Sequence, residues 1–62
     1  MHHYRIHLVS TANLTHVMMR LESLGLTVTE YLAINIWMVF GPEKALKEFV
    51  QFPEVGAWCH HS

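Results

Sequence analysis

Residues 26–41 read LTVTEYLAINIWMVFG, the longest apolar and β-branched run in the chain. β-Branched and aromatic residues suit a pleated, half-buried surface, so this run reads as two neighbouring strands whose one face the rest of the chain covers. Residues 26–31 make the earlier of the two, with Leu26 and Val28 sharing a face, and residues 34–40 make the later. No Asn-Gly or Asp-Gly turn separates them. The break falls within residues 32–35, where Asn35 tolerates a left-handed backbone better than its neighbours. Its position fixes the facing of everything after it, because side chains alternate along a strand. Ile34, Ile36, Met38 and Phe40 share one parity and are assigned to the core, which turns Asn35, Trp37 and Val39 outward. The opposite parity buries Trp37 and exposes Ile36 and Met38.

Working outward, residues 14–24 read as a helix: Leu14, Val17, Met18, Leu21 and Leu24 form one apolar stripe. Gly25 follows as a helix-ending residue that takes positive φ without penalty. Before the helix, Ser10, Thr11, Ala12 and Asn13 supply the hydroxyl and amide side chains of a turn and N-cap. Residues 4–9 alternate, with Ile6 and Leu8 on one face and Arg5, His7 and Val9 on the other, and read as the first strand. On the far side, Pro42 stands in the first turn of a second helix whose buried stripe is Leu46, Phe49 and Val50. Glu43 with Lys47, and Lys44 with Glu48, are spaced as i,i+4 pairs on its wet side. Pro53 ends it, and residues 55–60 make a short fourth strand. The order β-α-β-β-α-(β) with right-handed crossovers gives an α+β, ferredoxin-like sandwich spanning residues 1–62: an antiparallel sheet in spatial order 4-1-3-2 with both helices on one face. A three-stranded sheet with an irregular tail is the alternative.

The stretch NLTHVMMRLESLGLTVTEYL, residues 13–32, resembles the first half of an ACT domain. Leu14, Leu21 and Gly25 match that family's helix and helix-ending glycine, while Asn13 stands where the family has a helix-opening glycine. The resemblance implies a ferredoxin-like regulatory domain that pairs through its sheet and binds an amino acid or another small ligand. The glycine- and arginine-containing loop of acylphosphatases is missing after the first strand.

Composition narrows the function. The 62 residues are 52% hydrophobic and 15% charged, with net charge −1. That balance argues against disorder and offers no basic stripe for nucleic acid. The apolar run is interrupted by Asn35 and is short of the roughly 20 residues that span a bilayer. With no visible signal segment and one cysteine, Cys59, the expectation is a soluble, cytoplasmic protein. A chain of this size buries only about 60% of its unfolded surface, so a second copy, a partner or a metal is expected to complete it.

Three sites follow. The uncovered sheet face, with Arg5, His7, Val9, Asn35, Trp37 and Val39, is a contact surface for a homodimer or for a larger protein. A free-standing chain of this kind suits a modulator of a larger host protein, as viruses encode. Second, antiparallel pairing of the first and fourth strands gathers His2, His3, Cys59, His60 and His61, donors suited to zinc, copper or nickel, although adjacent strand residues point to opposite faces and the spacing matches no standard motif. Third, the turn carrying Ser10, Thr11 and Asn13 stands at the start of the first helix, where free N–H groups suit a small ligand's carboxylate, against ordinary capping by Thr11 and Asn13. Cys59 with His61 lacks a third group, so no catalytic set is expected and the leading function is non-catalytic association.

Overall fold

The computed structural model describes residues 1–61. Its elements are β1 (His2–Leu8), α1 (Leu14–Ser23), β2 (Thr27–Ala33), β3 (Ile36–Gly41), α2 (Glu43–Phe49) and β4 (Val55–His61). The strands form one antiparallel sheet in the order β2-β3-β1-β4, the ferredoxin-like arrangement expected from the sequence.

Each helix begins and ends for a local reason. At the start of α1, Asn13 accepts a hydrogen bond from the His16 backbone N–H (3.2 Å) and so satisfies an otherwise orphan donor. At its end, the Gly25 N–H donates to the Glu22 carbonyl (3.0 Å) and the Leu26 N–H to the Leu21 carbonyl (2.9 Å). This paired closure is a Schellman motif, and it needs a left-handed residue, which Gly25 supplies at φ +72°. Leu21 and Leu26, which flank the motif, are both in the core, so the helix stop also aims the chain into β2. In α2, Pro42 is the N-cap, one position before the first turn expected for it. The Glu43–Lys47 pair forms at 3.7 Å, whereas Lys44 and Glu48 make no ion pair among the described residues.

The core lies between the sheet and the helices: Tyr4, Ile6 and Leu8 from β1, Trp37 and Val39 from β3, Leu26 before β2, Val17 and Leu21 from α1, Leu46 and Phe49 from α2. The facing expected for β3 is therefore reversed. Trp37 is 3% exposed and Val39 0%, paired across the sheet with Ile6 and Tyr4. Pairing with β1 sets this facing, since Trp37 and Val39 lie opposite the core residues Ile6 and Tyr4. Ala33 pairs with Ile36, which leaves Ile34 and Asn35 as a two-residue turn and starts β3 two residues later than expected, a shift that leaves parity unchanged. No non-glycine residue takes positive φ among the described residues, so Asn35 is not left-handed. Its side chain instead donates to the Val9 carbonyl (2.8 Å), while the Leu8 N–H donates to the Asn35 carbonyl (2.7 Å). Trp37 turns inward at no polar cost, because its Nε1–H donates to the Ile34 carbonyl (2.8 Å). Val9 also departs from the expected role: it lies past the end of β1, half-buried, with its N–H donating to the Glu54 carbonyl (2.9 Å).

The Schellman closure of α1 generates a clean test. A Cβ at position 25 meets no atom within 4 Å, so the cost of Gly25→Ala is conformational alone. We expect about 1 kcal/mol lower stability, read as a lower midpoint in chemical denaturation with unchanged slope.

Candidate functional site

The strand register resolves the sheet into cross-strand rows that face alternately toward and away from the helices. Two rows face the helices: His60-Tyr4-Val39-Val28 and Trp58-Ile6-Trp37-Tyr31. Three rows face away, with no helix over them: His61-His3-Phe40-Thr27, Cys59-Arg5-Met38-Glu30 and Ala57-His7-Ile36-Ala33. Along β3 this open face presents Ile36, Met38 and Phe40 as an apolar ridge. Met38 at its centre is only 7% exposed yet lies outside the core cluster, because its neighbours on the open face cover it.

Arg5 and His7 stand on this face as expected from the sequence. Asn35 does not: it is spent on holding the β2–β3 turn against the end of β1. Trp37 and Val39 belong to the core, and the half-buried Val9 to the connection after β1, so none of these stands in the rows of the open face. The residues that replace them are Ile36, Met38, Phe40, Glu30 and Cys59. Their signal in the sequence is the alternation at Ile36, Met38 and Phe40, legible only once the turn is placed at Ile34 and Asn35.

Charge on the open face is sparse and unpaired. Among the described residues the ion pairs are Arg20–Glu54 (3.8 Å) and Glu43–Lys47, so neither Arg5 nor Glu30 has an opposite partner. The Arg5 Nε is buried without a hydrogen-bond acceptor among the described residues. At one end of the face, His3 packs against Phe40 with ring centroids 4.5 Å apart. Beside them His3, Thr29, Glu30, Met38 and His61 line a shallow recess of about 400 Å³.

The terminal histidines are divided rather than gathered. His3, Cys59 and His61 lie on the open face, while His2 and His60 lie on the helix side. Among the described residues, no group of three or more His, Cys, Asp or Glu side chains is placed to hold a metal ion. The five-ligand site expected from the sequence is therefore not assembled, because neighbouring strand residues point to opposite faces. On the helix side, His60 meets Tyr4 edge-on (centroids 5.5 Å), and Tyr4 stacks on Trp58 at 4.8 Å with rings 2° from parallel. Trp58, unremarked in the sequence, is 44% exposed because the helices cover β1 and β3 but leave β4 bare: residues 56–61 are all exposed. Its signal was the i,i+2 spacing of Trp58 and His60, which places both on one face of a strand.

At the first strand–helix turn, Thr11 and Asn13 line a recess of about 290 Å³ with Val9, Ala12, Pro53 and Glu54, and Ser10 lies outside that lining. Asn13 Oδ1 is engaged in capping α1, the more ordinary of the two roles open to it. Glu54 adds a carboxylate to the recess, which opposes an anionic ligand; its Oε1 is buried without a partner and its Oε2 faces Arg20, itself seated over the Phe52 ring at 4.0 Å.

Comparison with family models, curated proteins and solved structures finds no match. No helix among the described residues is long and apolar enough to cross a membrane.

The burial of Trp37 separates a structural from a surface role. Trp37→Ala in a core costs about 3–5 kcal/mol, comparable with the roughly 3–9 kcal/mol that a chain of this length is expected to possess. We expect the variant to lose its cooperative thermal melt by circular dichroism; a melt like that of the parent would place Trp37 outside the core.

Proposed function

We propose that this chain is a non-catalytic association module that pairs with a second copy of itself through the open sheet face. The observation that carries this reading is the central row Cys59-Arg5-Met38-Glu30, in which an unpaired cation and an unpaired anion flank an apolar centre. A two-fold axis running along β3 brings the two central rows face to face and sets Arg5 over Glu30 of the second chain, and Glu30 over the second Arg5. Both charges are then satisfied by the same contact, as an isologous interface requires.

Size is consistent with a modest dimer. The molecule measures 28 × 21 × 17 Å, and its broad face offers on the order of 600 Å², below the roughly 800 Å² per partner of a standard interface. An association of moderate strength, weakened by salt through its charged pair, is the expected consequence. Such a module acts by presence or absence of its partner rather than by chemistry, which fits a regulatory role.

A charge exchange tests the pairing. Arg5→Glu and Glu30→Arg each place like charges in contact and are expected to weaken the dimer about tenfold or more, and the double exchange to restore it. Sedimentation or native mass measurement reads the result. A wild-type chain that stays monomeric at high micromolar concentration, or single variants that dimerise like the parent, would contradict the proposal.

A further inference from the structure

We infer that His2 and His60 form a two-histidine chelate for a divalent transition metal of the zinc class. His2 Nδ1 and His60 Nε2 are 3.3 Å apart, with ring centroids 5.3 Å apart and planes inclined by 59°. Tetrahedral zinc with Zn–N bonds of about 2.0–2.1 Å holds two imidazole nitrogens about 3.3–3.4 Å apart, so the pair already stands at the bite distance of the ion.

The strand register explains why. Tyr4 pairs with His60, so His2, two residues before Tyr4, projects from the same face and lies diagonally across from His60. The His60 ring is held from behind by the edge contact with Tyr4, which is itself 3% exposed and stacked on Trp58. A ligand braced in this way gives up little freedom on binding. His2 is half-buried and His60 exposed, which leaves the outer side of the pair open to solvent, where water fills the remaining coordination positions.

Without metal, the two facing nitrogens stand at hydrogen-bond distance (3.3 Å), with the donor set by the tautomer. Binding needs both facing nitrogens as lone-pair donors. The donor ring shifts its proton to its other nitrogen, no net proton is released from a neutral pair, and each nitrogen forms one bond to the ion. The chelate stands apart from the proposed dimer face, because His3, Cys59 and His61 project from the opposite side of the sheet.

Calorimetric titration of the full chain with Zn²⁺ tests the assignment. We expect binding that weakens at least about tenfold in both His2→Ala and His60→Phe, the latter keeping an aromatic edge against Tyr4, and that changes little in His3→Ala and His61→Ala. Long-range ¹H–¹⁵N spectra of the unmodified chain should show His2 Nδ1 and His60 Nε2 as the nitrogens that shift on zinc addition, a readout independent of any variant's folding. No binding by the parent chain would overturn the inference. So would loss in His2→Ala without loss in His60→Phe, which would mark a chelate built on the chain start alone, or shifts confined to His3 and His61.

Discussion

The two-residue turn at Ile34 and Asn35 is the constraint on which the rest of the molecule depends. A strand has only two faces, so one residue more or less in that turn would exchange every side chain of β3 between core and open face. Three hydrogen bonds hold it in place: Trp37 Nε1–H to the Ile34 carbonyl, Asn35 Nδ2–H to the Val9 carbonyl, and the Leu8 N–H to the Asn35 carbonyl. The first lets a tryptophan be buried without an orphaned donor. The other two tie the turn to the end of β1, the central strand that β3 must match in register. Once β3 is set, Ile36, Met38 and Phe40 can only face outward.

This same constraint marks the limit of what the sequence could tell. Element types and their order were legible because they rest on signals of one dominant kind: the stripe Leu14, Val17, Leu21 for α1, Gly25 as its stop, Pro42 before α2 and Pro53 after it. The facing of β1 was legible too, since Arg5 and His7 contrast with Ile6 and Leu8. β3 offers no such contrast. Ile36, Met38 and Phe40 on one side and Trp37 and Val39 on the other are all apolar, so alternation cannot choose between them. The choice is made by hydrogen bonds of Trp37 and Asn35 to residues distant in pattern or sequence, which no local periodicity encodes. For the terminal histidines, the pairing of β1 with β4 was foreseeable from topology, but its register, and hence which imidazoles share a face, was not.

The two proposals arise from one shortage. Helices of 10 and 7 residues cover the middle of the sheet, leaving one face uncovered and β4 bare on both sides. The uncovered face keeps an apolar ridge between Arg5 and Glu30, whose opposite charges find no partner among the described residues. At the margin of the covered face, Tyr4 and Trp58 stack and brace His60 toward His2. Association and metal capture would each add stability that a core this small does not supply alone. They act on opposite sides of the sheet, so either can operate without the other.

The facing of β3 is tested most directly by the fluorescence of Trp37 alone, in a Trp58→Phe variant studied at a dilution where the chain is monomeric. Short-wavelength emission that resists quenching by acrylamide is expected, because Trp37 is inside the monomer itself. Long-wavelength emission readily quenched by acrylamide would place Trp37 on the open face and contradict both the core and the interface described for this protein.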